Sequence, residues 1–441
     1  MRPCCTDPAR PECNRSAPRC VVRVVRSAVV FLHVLALVAC QPSRSARPLS
    51  APSTSRSAPR AGSGDRRPIA PSKTTEAARD LELGVASNTA CIRRGPQVYC
   101  WGANYFDPES DEQCRRRLND TDYPCHRQPT RVLVRHTAAG EPAGFRKIAA
   151  GSETVCGVLE SSLVVCWGYG LHGGLGDGTS EMSDRPRLVV DLEGVVDIAV
   201  GSAHACSLGH DGIVDCWGRN LDGELGDGGR SDRAIPSRVR GLPPVTQIFA
   251  GGMTSCAVTA KGVLWCWGDN GHGQVVADAP SDHLVPVRVP SVPTVAQIDL
   301  DAQEVCARTL DAGVWCWGGG PAVSAKLNAN LQPPARLAAL DGAKQLAVGH
   351  AHACAVMPGG SAECWGHNSS GNLGDGTITN RFAPAPIEGV EDVVEVDATW
   401  RLDCARTRGG EVYCWGDGDV GQIGDGQLQD RDLPTRVHLP W

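Results

Sequence analysis

Two residues before every Cys-Trp-Gly triplet the chain carries an apolar side chain: Val98, Val164, Val214, Leu264, Val314, Ala362 and Val412. Residues two apart share a face of an extended strand, so each lies beside its triplet's cysteine, with the tryptophan on the opposite face. Around the second full copy, apolar runs read "PRLVV", "VDIAVG", "HACSL" and "IVDCWG", separated by turn residues. Each run predicts a short strand. The triplets begin at Cys100, Cys166, Cys216, Cys266, Cys316, Cys364 and Cys414, and five of their six intervals are 48 to 50 residues, the first being 66. Four short strands repeated about every 50 residues is the pattern of propeller blades. The tryptophans are expected where blades stack, opposite small or aliphatic residues such as Ala205, Val305 and Ala353. The "IAVG" and "LAVG" strands are expected innermost, giving an axis of small residues.

Each triplet cysteine has an upstream partner: Cys91, Cys156, Cys206, Cys256, Cys306, Cys354 and Cys404, ten residues before it in six copies and nine in the first. If His210-Asp211-Gly212 is a three-residue loop with Gly212 left-handed, Cys206 and Cys216 face each other across a hairpin. Directly opposed Cα atoms lie about 4.5–5.5 Å apart, within disulfide reach. Zinc binding is the alternative chemistry, but each hairpin offers two thiols where structural zinc takes four ligands.

The stretch "VDIAVGSAHACSLGHDGIVDCWGRNLDGELGDG" resembles the repeat of the regulator of chromosome condensation family, with its Gly-x-x-His, Asp-Gly turn, Trp-Gly and Asn-x-x-Gly-x-Leu-Gly succession. The resemblance covers about residues 81–441 and is strongest around Gly201 to Gly228 and Gly349 to Gly376. It implies an all-β, seven-bladed propeller. The first copy, "LELGVASNTACI", lacks a preceding Pro-x-x-Val strand, and "LPTRVHLPW" supplies one with no blade after it. The N- and C-terminal strands are therefore expected to complete one blade jointly and close the ring, removing exposed strand edges.

Composition sets the compartment. Twenty-one cysteines in 441 residues are far more than a reduced cytosolic protein carries, and a net charge of −6 argues against a nucleic-acid partner. Arg23 and Arg26 precede an apolar run from Ser27 to Ala39, too short to span a bilayer but suited to an export signal. Its end, Leu37-Val38-Ala39-Cys40, resembles the lipobox of bacterial lipoproteins, which implies cleavage after residue 39 and lipid attachment at Cys40. A plain secretory signal that happens to end in cysteine is the other reading. Residues 1–39 are thus expected to be a signal peptide, with a start near residue 21 as the alternative. Residues 40–80, rich in Ser, Pro, Ala and Arg, are read as an unstructured tether, and 81–441 as the propeller. The expected location is the bacterial envelope, lipid-anchored at the outer membrane or cell surface.

Function is sought where the copies differ. "LGDG" or "IGDG" loops begin at Leu175, Leu225, Leu373 and Ile423, whereas the unit after Cys100 carries an insertion at 104–130. There Cys114 and Cys125 are expected to bridge, and Tyr105, Phe106, Arg115, Arg116, Arg117 and Tyr123 are types favoured at binding hot spots. A decorative insertion is the plainer alternative. His204 and His352 are read as structural or axis-lining. "DGDVGQIGDG" from Asp417 suggests calcium but reads better as repeated Asp-Gly turns.

No catalytic motif, cofactor or metal site is identified. The expected function is a monomeric scaffold binding a protein or surface ligand with the loops of one face. Within the resembled family, the eukaryotic founder is a nucleotide exchange factor, and some secreted bacterial relatives resemble β-lactamase inhibitors; neither precedent carries over residue by residue. Two other classes compete. A hydrolase or lyase at the central channel would show axial carboxylates or His with raised pKa values. A purely structural envelope component would have no specific partner.

Overall fold

The structure, a computed structural model, describes residues 80–103, 125–134, 143–152, 154–277, 281–320 and 332–441. These residues form seven four-stranded antiparallel sheets, each built from four consecutive strands. The sheets are blades 1 (81–132), 2 (145–188), 3 (195–238), 4 (247–288), 5 (295–336), 6 (345–386) and 7 (393–436). The innermost strand of each blade packs against that of the next, and Leu81–Val85 of blade 1 packs against Val393–Ala398 of blade 7. The seven blades therefore close a ring: an all-β, seven-bladed propeller.

The predicted hairpin is present in every blade. Cys206 pairs with Cys216, and Ala205, Val305 and Ala353 lie opposite Trp217, Trp317 and Trp365. Gly209 N–H donates to the Ile213 carbonyl, leaving a three-residue loop in which Gly212 has φ +81°. The seven expected hairpin disulfides form, with Cα–Cα distances of 4.1 Å, slightly under the spacing expected for an unconstrained pair.

The core lies between blades. One face of each blade presents its disulfide and the apolar residue beside it. The opposing face of the next blade presents the tryptophan. Thus Cys156, Cys166 and Val164 of blade 2 enclose Trp217 of blade 3, and Cys206, Cys216 and Val214 enclose Trp267 of blade 4. The indole nitrogen also crosses the boundary. Trp217, Trp267, Trp317 and Trp415 donate to the carbonyls of Gly174, Glu224, Gln274 and Asn372 in the preceding blade, at 2.7–3.1 Å. The carbonyl-bearing loop then turns tightly behind the ring. Gly226 has φ +63°, and a Cβ there would meet Trp267 Nε1 at 2.9 Å, which explains the glycine of "LGDG".

Two expectations are corrected. The Pro-x-x-Val run does not begin a blade; it ends one. Ser183–Leu188 is the outermost strand of blade 2, paired to Val164–Gly168, and "VDIAVG" opens blade 3. Proline has no N–H to donate, so it suits the rim, where one edge goes unpaired. No blade is therefore shared between the two ends of the repeat region. Arg431–Arg436 pairs within blade 7, and the ends meet by packing. Val437 and Leu439 join Leu81, Leu83 and Trp101 in one cluster, Trp101 donates to the Gln422 carbonyl at 2.8 Å, and Trp441 stacks near Tyr99 and Arg94. The second correction concerns the insertion, which is shorter than expected: Cys125–Val132 form the outermost strand of blade 1.

Candidate functional site

The innermost strands end around an axial cavity of about 920 Å³. Its wall is made by the turns between first and second strands and the loops between third and fourth strands, so it opens on that face of the ring. The wall is not seven-fold. On each innermost strand one residue pairs with the blade's first cysteine. It is Gly84, Ala149, Ala199 and Ala347 in blades 1, 2, 3 and 6, and Phe249 in blade 4. In blades 5 and 7 it is Asp299 and Asp397. Of these seven, only Asp299 and Asp397 line the cavity, so the axis expected to be lined by small residues carries two acids, from blades 5 and 7.

Each carboxylate has a backbone partner. Val348 N–H donates to Asp299 Oδ2 at 2.7 Å, and Val85 N–H donates to Asp397 Oδ2 at 2.9 Å, in each case from the innermost strand of the next blade. These N–H groups lie on a strand edge that no other strand covers, and the aspartates satisfy them. Neutral amides do similar work nearby. Gln345 accepts from Val396 N–H and donates to the Val396 carbonyl, and Gln297 donates to the Leu346 carbonyl.

Burial pushes the Asp299 carboxyl up to about 7, with the neighbouring Asp301 adding to the rise. Burial, then the charge of Asp299, holds Asp397 well above the ordinary carboxylate range. Beside them the acidic sector carries His350, 3.5 Å from Asp301, and Trp400, which is 59% exposed. The Trp400 ring lies 5.3 Å from His350 and 5.5 Å from the Arg401 guanidinium, and Arg401 pairs with Asp417 at 3.1 Å.

His204 and His352 are structural, joining adjacent blades away from the cavity wall. His204 Nε2 meets Ser255 Oγ at 2.8 Å, and burial, reinforced by Arg219, lowers its pKa to about 3. His352 Nε2 meets the Asp403 carboxylate at 2.9 Å with both side chains buried. In the glycine-rich loops the aspartates hold turns: Asp425 accepts from Gln427 N–H and pairs with Arg431, and Asp227 accepts from Gly229 N–H and pairs with Arg233.

Cys40, Tyr105, Phe106, Cys114, Arg115, Arg116, Arg117 and Tyr123 lie outside the described residues. The two ends of the insertion do not. Ala103 pairs with Cys125, Ala103 lines the cavity, and both cluster with Val420, another cavity residue. Cys125 is disulfide-bonded, to a cysteine outside the described residues. The insertion therefore leaves the fold at the mouth of the axial cavity. Sequence reading missed Asp299, Asp397 and Trp400. Their signal was present, because "IDLD" and "VDAT" depart from "IAVG" once the columns are set against the first cysteines.

A closed ring of seven similar sheets around an axial cavity that carries two acids and an exposed tryptophan defines a seven-bladed propeller. The model of the regulator of chromosome condensation (RCC1) repeat matches residues 163–208, 211–258 and 409–440, and a second model of that repeat matches 195–224 and 245–274. Residues 163–274 and 409–440 thus carry RCC1 repeats. No curated protein matches it in sequence. Among solved structures, Prp20p of Saccharomyces cerevisiae, described with its binding to Gsp1p and histones, is similar with a TM-score of 0.65 at 19% identity, over 83% of this chain and 89% of that one. Human WBSCR16 is similar with a TM-score of 0.49 at 20% identity, over 82% and 83% of the two chains. The likeness to Prp20p shows the propeller fold. The seven disulfides point to an oxidising, extracellular environment. Among the described residues no helix is long and apolar enough to cross a membrane.

Proposed function

We propose that this chain is an exported propeller, lipid-anchored through Cys40 on the tether of residues 41–80, that binds a protein or surface ligand with its channel face. One observation carries the reading: the described ends of the insertion, Ala103 and Cys125, cluster with Val420 at the same cavity that carries the acidic, aromatic sector. Selection for folding alone gives no reason for them to converge there. Prp20p, a propeller described as binding protein partners, supports the choice of class.

The test is affinity capture from the producing cell's envelope, with the full chain against a variant lacking residues 104–124. That deletion spares the outermost strand that begins at Cys125. A specific partner lost with the deletion supports the reading, and no partner with either form favours a structural envelope component. For the anchor, labelled fatty acid should enter the wild type and not Cys40→Ser. The enzyme reading keeps one specific observation in its favour, the raised carboxyls of Asp299 and Asp397. Hydrolase or lyase turnover that vanishes in Asp299→Asn would establish it.

A further inference from the structure

We infer that the axial cavity binds an alkylammonium group, seated between Asp299 and Asp397 with its carbon chain along Trp400. The inference rests on the scaffold reading only in taking the channel face as the binding face; it names the chemistry that face accepts.

The repeat itself shows that the fold does not require acids here. Four blades place glycine or alanine at the same register position. The backbone role of each aspartate uses Oδ2, and the neighbouring glutamines show that a neutral side chain can satisfy such edges. What distinguishes an aspartate at these two places is its charge.

When that charge forms, no cationic side chain among the described residues offsets it. Five other carboxylates of this sector have a cation or a histidine at hand. Glu395 pairs with Arg406, Glu82 with Arg93, Asp417 with Arg401 and Asp403 with His352, while Asp301 faces His350. Asp299 and Asp397 pair with no cationic side chain among the described residues. They come from different blades, yet both line the same cavity, and the charge of Asp299 adds to the rise of Asp397. A cation between them would relieve that repulsion.

Shape and chemistry choose among cations. Among the described residues no group of three His, Cys, Asp or Glu is arranged to hold a metal ion. A cavity of about 920 Å³ has the size of an organic-ligand pocket. An ammonium supplies three donors for the remaining carboxylate lone pairs. Its methylenes find an apolar platform on the exposed Trp400, and an ammonium can also lie over that ring.

Because the Asp299 carboxyl titrates near 7, an incoming ammonium displaces a proton. The ionised fraction of a group with that pKa rises about tenfold from pH 6 to pH 8, and apparent affinity follows it. The full chain would be titrated with 1,5-diaminopentane and, separately, with a Gly-Lys-Gly peptide blocked at both ends. Calorimetry and tryptophan fluorescence at pH 6 and pH 8 would report binding. The expected result is binding of at least one probe, about tenfold tighter at pH 8, and weakened tenfold or more in Asp299→Asn/Asp397→Asn. Those amides keep the backbone acceptors, and Asp299→Ala/Asp397→Ala installs the residue of blades 2, 3 and 6 as a second variant. Binding of the diamine alone assigns a small amine, and binding of the peptide alone assigns a partner's lysine; either supports the inference. It is overturned if neither probe binds, if affinity is the same at both pH values, or if the folded Asn variant binds as wild type does. Partner capture by the insertion is measured separately, so either proposal can fail without the other.

Discussion

Trp101 and Trp217 occupy the same place in two interfaces: a chain segment joins blades 2 and 3, whereas packing and hydrogen bonds join blades 7 and 1. Both indoles are fully buried, and both donate to a carbonyl of the preceding blade. Truncating a buried tryptophan to alanine costs about 3–5 kcal/mol, and the orphaned carbonyl adds about 1 kcal/mol. Trp101→Ala and Trp217→Ala should therefore remove a similar amount, about 4–6 kcal/mol, from their interfaces. The consequences should diverge. In Trp217→Ala the blades stay tethered, and the loss lowers global stability. In Trp101→Ala the weakened seam can part by itself, and the amides of Leu83 and Val85 report it, because their acceptors, Glu395 and Asp397, lie across that seam. A loss of 4 kcal/mol is about a thousandfold in an opening equilibrium. Native-state hydrogen exchange should show Leu83 and Val85 exchanging about a thousandfold faster in Trp101→Ala, with much less change in Trp217→Ala. Equal acceleration in both variants would refute the claim that the ring is weakest where its ends meet.

Three further outcomes follow from the same geometry. Gly226→Ala, at φ +63° and with its Cβ driven to 2.9 Å from Trp267, should lower the melting temperature more than Gly241→Ala, at φ +74° in open space, where backbone strain of about 1–2 kcal/mol acts alone; differential scanning calorimetry compares them. His204 is held neutral, its pKa depressed from 6.5 to about 3, so the unfolded chain binds its proton first as pH falls. That stability is fully present above pH 6.5 and drains at about 1.4 kcal/mol per pH unit down to about pH 3. Between pH 6.5 and 5 the wild type should lose about 2 kcal/mol more than His204→Gln in urea titrations. Replacing Cys206 and Cys216 together by alanine reopens a ten-residue loop and should cost about 2–3 kcal/mol on a chain-entropy basis, while non-reducing peptide maps show the other six pairs unchanged.

The propeller was legible because its signals repeat. Cys-Trp-Gly, its upstream cysteine and the apolar residue at Val214 and its equivalents together specify a hairpin, and seven hairpins at one period specify a ring. The strand frame was harder to read. A repeat has no natural beginning, and "PRLVV" stands next to "VDIAVG" in sequence although the two lie in different sheets. Pro186 was the available signal, since a residue without an N–H belongs on an unpaired edge. Asp299 and Asp397 escaped notice for a different reason. In "IDLD" and "VDAT" an aspartate between two apolar residues looks like ordinary strand alternation, which would turn it toward solvent. At a propeller axis, that same side meets the innermost strand of a neighbouring blade. Only the cross-strand register with Cys306 and Cys404 reveals the substitution. His204 and His352 were read as structural, but their partners, Ser255 and Asp403, are about 51 residues away and become visible only once the blades are stacked.

Each of the seven described pairs joins cysteines nine or ten residues apart within a single sheet. A thiol emerging from a ribosome or a translocation pore therefore meets its proper mate as the next one to appear. Oxidation can keep pace with synthesis, one hairpin at a time, without a shuffling catalyst to undo mistaken links. The order of the sequence does the proofreading.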